Sequence, residues 1–183
     1  VTVRVVLDVG HNAAITSLLA ALNPQLAAGI IDARQDGPSI VLAIKQAVDH
    51  NQLVTLLADR ARPGEPGAQA HFLGGTATLP TAPWLIAAAL GVPVVLCFGL
   101  YRGGNRYDLH FEVVSERIVI ERRERRQAIG ALVQAYADRL EHHARAAPYN
   151  WFNFYDFWHD ETTAVVADPA VPAPAAVQQR PFA

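Results

Sequence analysis

The sequence predicts an α/β fold with a mostly parallel sheet flanked by helices. Short apolar, β-branched runs typical of buried strands alternate with segments whose apolar residues recur at helical spacing. Prolines and glycines separate these segments, as they do where elements end. Strands that alternate with helices favour parallel pairing, because each helix carries the chain back to the sheet edge where the previous strand began.

The first third of the chain contains three predicted strands and two predicted helices. In order, they are a strand from Val3 to Val9, a helix from Ala13 to Leu22, a strand from Gly29 to Ile31, a helix from Ser39 to Val48 and a strand from Leu53 to Ala58. Pro24 ends the first helix, since the residue before a proline avoids helical geometry. Pro38 suits the first turn of the second helix, where its missing N–H costs nothing.

A loop rich in glycine and proline, from Asp59 to Gln69, follows the third strand. Its length exceeds that of an ordinary connection, and such loops are functional or disordered. The elements predicted after it are a helix from Trp84 to Leu90, strands from Val94 to Phe98 and from Tyr107 to Val114 that form a hairpin, and an amphipathic helix from Arg122 to Ala146 that Pro148 ends.

We predict one domain over residues 1–160 and a disordered tail over residues 161–183, because the tail is rich in alanine, proline and valine without periodicity. The chain opens directly on a strand and contains no methionine. We therefore expect a segment upstream of Val1 to be missing.

Composition argues against several classes of protein. The formal net charge of -2 gives no reason to expect nucleic acid as a partner. The single cysteine, Cys97, lies in an apolar run, where a buried, unreactive thiol is expected. No apolar stretch approaches the roughly 20 residues that span a bilayer. Neither a metal-ligand spacing nor a glycine-rich phosphate loop is present, so we expect no metal, no cofactor and no nucleotide-binding transferase.

A carboxylate at the end of the third strand is the first candidate for function. Asp59 stands there, followed by the long loop and then by the turn at Gly74. Ligand sites in open α/β sheets lie beyond the carboxyl ends of strands. The alternative is that Asp59 caps a turn and pairs with Arg60 or Arg62. Position alone leaves both interpretations open.

A run of arginines and a cluster of aromatic residues are the second candidate. The arginines suit anionic head groups or an acidic carrier protein, or they form a solvated helix face tempered by two glutamates. The tryptophans at the two ends of the aromatic cluster suit a membrane interface, or they pack over the core. The residues are Arg122, Arg123, Arg125 and Arg126 in the run, and Trp151 and Trp158 in the cluster.

Five segments follow one another in an informative order: LLADR at residues 56–60, FLG at 72–74, LPTAP at 79–83, AAALGVPVVLCFGLYRGGNRYDLHFE at 87–112 and LEHHARAAPYNWFNFYDFW at 140–158. Together they resemble the C-terminal part of the bacterial lipid A late-acyltransferase group, within the lysophospholipid acyltransferase superfamily. The resemblance runs from about residue 3 to residue 158. No single motif is decisive for this resemblance, which rests on several motifs that occur in the same order.

The resemblance implies a glycerol-3-phosphate/lysophospholipid acyltransferase-like fold, truncated at its N-terminus. It also implies an acyltransferase that moves a fatty acyl chain from acyl carrier protein or acyl-CoA to a hydroxyl of a lipid or glycolipid. Such a protein would lie peripherally on the cytoplasmic face of the inner membrane. The family's base is a histidine in a His-x4-Asp or His-x4-Glu motif. None of the seven histidines here has that spacing.

By resemblance, Asp59 is the supporting carboxylate of the site. The positions implied to bind substrate are Arg34, Arg60, Gln69, Phe72 and Gly74. Some members place a glutamate where Gln69 stands, and an amide cannot ionise as that residue does. For Arg34 the alternative is a solvated arginine beside two aspartates. For the whole chain the alternative is a non-catalytic remnant that binds lipid or a partner.

Overall fold

In the computed structural model, which describes residues 1–10, 13–61, 64–154 and 157–158, the chain has a mixed α/β fold. The strands are β1 (Val3–Leu7), β2 (Ile30–Asp32), β3 (Leu53–Thr55), β4 (Gly67–Phe72), β5 (Gly75–Pro80), β6 (Val94–Tyr101) and β7 (Tyr107–Ser115). The helices are α1 (Ala13–Leu22), α2 (Pro24–Ala28), α3 (Gly37–Asp49), α4 (Ala82–Leu90) and α5 (Arg125–Ala146), followed by a short 3-10 helix at Pro148–Asn150.

The expected α/β class is confirmed, but the expectation of a mostly parallel sheet is wrong for the described residues. Only β2, β1 and β3 form a parallel sheet, in that order, while β4–β5 and β6–β7 are separate antiparallel hairpins. The reason lies in the connections after β3. Two residues join β4 to β5 and five join β6 to β7, whereas a parallel crossover needs a dozen or more.

Most predicted elements exist, with shifted ends. The strands predicted to end at Val9 and Ala58 stop at Leu7 and Thr55, and the long helix begins at Arg125 rather than Arg122. The hairpin predicted from residues 94 to 114 is confirmed. The predicted loop is wrong in its last part, because β4 already begins at Gly67. The predicted tail lies outside the described residues.

The turn between β4 and β5 explains why the first hairpin was not predicted. Leu73 and Gly74 form a two-residue connection, with φ of 50° and 85°. Positive φ at both positions is the type I′ turn, which asparagine and glycine usually occupy. A leucine in this region is uncommon and strained. The sequence therefore carries no standard hairpin signal here.

Helix α5 packs on this hairpin and forms the centre of the core. Val133 and Ala137 on the helix are fully enclosed, as are Phe72 on β4 and Leu79 on β5, at 0–1% exposure. The ring of Trp151 meets that of Phe72 edge to face, with centroids 4.9 Å apart. The interpretation that the aromatic cluster packs over the core is therefore correct for Trp151.

Polar side chains of α5 also pair with the outer edge of β4. The Gln134 amide accepts a hydrogen bond from the His71 N–H at 2.8 Å and donates one to the His71 carbonyl at 3.1 Å. The Glu141 carboxylate accepts from the Leu73 N–H at 2.6 Å. Unpaired strand edges invite pairing with other chains, and covering the edge with a helix prevents this.

The β6–β7 hairpin buries one face and exposes the other. Leu96 and Phe98 point inward, while Cys97 between them is exposed. The expectation of a buried thiol is therefore wrong, because the apolar run forms a strand covered on one side only among the described residues. The other large apolar residues exposed on this hairpin are Val95, Tyr101, Tyr107, Leu109, Phe111 and Val113. Among the described helices, none combines the length and apolarity needed to cross a membrane.

Replacing Glu141 by alanine should lower the urea concentration at the midpoint of unfolding, because the N–H of the strained Leu73 would lose its charged acceptor. Urea denaturation gives this value. The matched control is Glu121→Ala, which removes an exposed glutamate without a side-chain partner in the described structure and should change stability by less than about 0.5 kcal/mol. Equal losses in the two variants would contradict a specific role for Glu141.

Candidate functional site

The arginine run lines a cavity of about 720 Å³ where α5 begins beside β4 and α4. Gln69 on β4 and Thr81 at the start of α4 form polar parts of its wall, and Leu85 and Ile129 form apolar parts. The charged part of the wall consists of Arg122, Arg123, Arg125 and Arg126. The structure thus brings together Gln69 and the arginine run, which the sequence suggested as two separate sites.

Local chemistry determines this arrangement. α5 is 22 residues long and begins at Arg125, and its first two residues, Arg125 and Arg126, line the cavity. The buried Thr81 donates its hydroxyl hydrogen to the Pro66 carbonyl at 3.0 Å, which joins the start of α4 to the residue before β4. All four arginines are exposed. In the described part of the chain, none of them forms an ion pair or a side-chain hydrogen bond.

Asp59 lies elsewhere, after the end of β3. Its carboxylate accepts hydrogen bonds from Arg60 at 3.2 and 3.3 Å, and its side chain is 19% exposed. The buried Tyr136 hydroxyl is close enough to feel this charge. Burial raises the pKa of Tyr136 first, and the Asp59 charge raises it further. The pairing alternative for Asp59 is thus observed with Arg60, while Arg62 lies outside the described residues. A functional role for Asp59 stays a prediction.

Arg34 pairs with Asp32 at the carboxyl end of β2. Its guanidinium donates to the carboxylate at 2.9 and 3.2 Å, and this lowers the pKa of Asp32. Arg34 also lies over Gly10, where an added Cβ would come within 2.6 Å of the guanidinium. Because β1, β2 and β3 are parallel, Arg34 and Asp59 follow strands at the same sheet edge. No hydrogen bond or ion pair joins the two in the described structure.

The remaining residues that the sequence predicted for the site lie at the turn of the β4–β5 hairpin, at the opposite end of β4 from the start of α5. They are Phe72, Gly74, Trp151 and Trp158. Phe72 is fully buried, so its side chain offers no surface to a substrate in this structure. The positive φ of Gly74 serves the turn itself. Trp158 donates its indole N–H to the Phe72 carbonyl at 3.1 Å. Trp151 and Trp158 therefore belong to this turn and not to the arginine cavity.

Sequence reasoning missed a partly buried polar network between β7 and α5. Glu112 accepts from Arg139 at 2.5 and 2.7 Å and lies 2.9 Å from the His143 ring nitrogen Nε2. His143 is 5% exposed and stacks on Phe98, with ring centroids 4.2 Å apart. The hydrogen bonds from Arg139 lower the pKa of Glu112 most; burial opposes them, and His143 lowers the pKa further, to about 2.

This network resembles the histidine–carboxylate pairs of active sites only in part. Its carboxylate is held by an arginine and its histidine is enclosed, so the contacts fasten the hairpin to the helix. The available signal was the inward register of Glu112 on β7 together with the four-residue spacing of Arg139 and His143 on one helix face. Among the described residues, no group of three or more potential ligands is placed to hold a metal ion.

The fold and the site define an α/β domain with an arginine-lined cavity. No protein-family model matches the chain, and a search of curated proteins finds no significant match.

Replacing Glu112 by glutamine should make the free energy of unfolding depend less on pH in the acidic range. The folded-state pKa of about 2 lies below the unfolded value, so Glu112 stabilises the fold above about pH 4.5 and loses this effect as the pH falls towards 2. Glu112→Gln should therefore unfold more easily than wild type at pH 7, by about 1–2 kcal/mol, with the gap closing in acid.

Thermal melts at a series of pH values measure this gap. Glu116→Gln is the control, because Glu116 is exposed beyond the end of β7 and forms no ion pair in the described structure. A gap that stays constant from pH 7 to pH 3 would contradict the role of the Glu112 charge.

Proposed function

We propose that the chain is an acyltransferase-type domain of the lipid A late-acyltransferase kind. Its substrates would be a fatty acyl thioester, on acyl carrier protein or coenzyme A, and a hydroxyl of a lipid or glycolipid. It would work peripherally at the cytoplasmic face of a bacterial inner membrane. We further propose that these 183 residues hold substrate without turning it over.

One observation carries the proposal: two of the five segments that bear the resemblance, residues 72–74 and 140–158, meet in space. The Leu73 N–H donates to Glu141, 68 residues away, and the Trp158 indole donates to the Phe72 carbonyl, 86 residues away. The Trp151 ring packs on Phe72. The FLG segment and the LE…W segment thus form one contact cluster. A pattern whose distant parts touch supports a shared structural unit better than scattered matches do.

The chemistry explains why turnover is not expected from this chain. A hydroxyl must lose its proton to a base as its oxygen attacks the thioester carbonyl and the thiol departs. No histidine of the chain has the required spacing from a carboxylate. His143 does contact Glu112, but it is enclosed at 5% exposure, where a substrate hydroxyl has no access. The residues proposed to support substrate are Asp59 and Arg60 beyond β3 and the cavity beside α5.

The chain alone should bind a photoreactive acyl-CoA saturably yet transfer no acyl group to lipid. Saturable labelling that unlabelled acyl-CoA competes away would support the proposal. Mass spectrometry of the labelled peptides locates the site. Transfer at ordinary enzymatic rates would contradict the assignment of the base to residues outside this chain. Labelling that no competitor reduces would favour the alternative, a non-catalytic domain that binds lipid or a protein partner.

Asp59→Asn should weaken acyl-CoA binding by up to about fivefold without lowering the melting temperature, because the carboxylate orients the exposed Arg60 through a solvent-screened ion pair. Competition against the photoreactive probe measures the affinity. Asp49→Asn is the control, since it removes a similar exposed pair, with Lys45 on α3, away from the proposed site. Equal affinities for wild type and Asp59→Asn would leave Asp59 with a purely structural pairing.

A further inference from the structure

The β6–β7 hairpin presents an exposed apolar face, which we call the open face. Along it, four pairs of residues lie side by side across the two strands. The pairs are Val95 with Val113, Cys97 with Phe111, Gly99 with Leu109, and Tyr101 with Tyr107. All eight residues are exposed, and none of the eight is charged. The open face is therefore a continuous apolar surface on one side of a two-stranded sheet.

The open face is large enough to hold two protein chains together. Its six large side chains each expose between 48% and 66% of their surface. A side chain of this size has on the order of 150–200 Å² when fully uncovered, so the face offers roughly 600 Å². Two such faces would bury about 1,200 Å², which reaches the lower end of specific protein–protein interfaces. Contiguous apolar patches of this size mark interaction sites.

The shape of the open face is complementary to itself. On β7, Leu109 and Phe111 form a ridge of large side chains. The residues beside them on β6, Gly99 and Cys97, are small and form a groove. Within 4 Å, a Cβ added at Gly99 would meet only the Leu109 side chain, at 3.5 Å. A two-fold axis parallel to the strands places the ridge of each copy in the groove of the other, so that every contact occurs twice, as a two-fold interface requires.

The chemistry of the open face favours a second copy over other occupants. A charged partner finds no opposite charge among its eight residues. Peripheral membrane surfaces combine apolar residues with lysine or arginine, and the open face contains neither. Tyr101 and Tyr107 lie at one end of the face, with ring centroids 5.3 Å apart. Tyrosine suits the rim of a protein interface, because its ring can be covered while its hydroxyl stays in water.

We propose that two copies of the chain associate through the open face, with Leu109 and Phe111 of each copy seated on Gly99 and Cys97 of the other. The inference goes beyond the proposed acyl transfer and does not depend on it. It also explains why an apolar run with the composition of a buried strand is exposed in the single chain. Association covers the second face of that strand.

Analytical ultracentrifugation of the 183-residue chain tests the association. We expect a reversible dimer, with twice the 19.8 kDa mass of the chain. Its Kd should be on the order of micromolar, because the buried area lies at the low end for specific interfaces. Cys97 gives an independent measurement, since it is the single cysteine and lies in the groove. Its reaction with a thiol reagent should slow as the protein concentration rises through the Kd.

Two substitutions separate a specific dimer from general apolar adhesion. Gly99→Leu adds apolar surface but fills the groove, so it should raise the Kd by about tenfold or more, whereas general adhesion would become stronger. Phe111→Lys removes the ridge from both copies and should also raise the Kd by about tenfold or more. Phe154→Lys is the matched control, because Phe154 is 94% exposed and lies outside the open face. It should change the Kd by less than about twofold. Circular dichroism melts verify that each variant is folded.

The proposal is overturned if the chain stays monomeric well above micromolar concentration. It is also overturned if Gly99→Leu leaves the association unchanged or strengthens it, or if Phe154→Lys weakens it as much as Phe111→Lys does. A monomer whose Cys97 becomes protected when phosphatidylcholine vesicles are added would overturn it and assign the open face to lipid. A monomer whose Cys97 stays reactive with and without vesicles would overturn it in favour of another segment or protein.

Discussion

The contact between α5 and the outer edge of β4 is the interaction on which the described structure depends most. A two-stranded hairpin is marginally stable by itself, and its open edge can pair with other chains. Gln134 and Glu141, two turns apart on the helix, bind the backbone groups of that edge. Val133 and Ala137 on the same helix bury apolar surface against Phe72. Polar pairing and apolar burial thus fix the same two elements together.

The contact between α5 and β4 also sets the positions of the other polar residues on α5. Because Gln134 and Glu141 fix the later part of the helix to the end of β4, the start of the helix must lie beside the start of β4, at Gln69. The cavity follows from that alignment. Arg139 and His143 meanwhile bind Glu112 on β7. One helix therefore connects both antiparallel hairpins and forms one wall of the candidate site.

Local signals made much of the fold predictable from sequence, while long-range pairing did not. Asp36 accepts from the Ser39 N–H and Pro38 lies in the first turn, so α3 begins where its sequence indicates. The first hairpin was missed because Leu73 adopts a positive φ that its residue type disfavours, with Glu141 holding its N–H from across the fold. Cys97 was misplaced because an apolar run does not show whether one face of a strand or both are covered.

The candidate site was predictable residue by residue but not as a site. Gln69 and the arginine run were each singled out, yet only the docking of α5 shows that they share a wall. The same helix divides its arginines into two kinds. Arg139 is neutralised by Glu112, which holds it at 2.5 Å in a structural role. The arginines at the helix start have no such carboxylate partner in the described structure, whereas Arg60 and Arg102 each pair with an aspartate. Charge that has no partner beside a cavity is available to a ligand. This difference separates the arginines with a structural role from those that can bind a ligand.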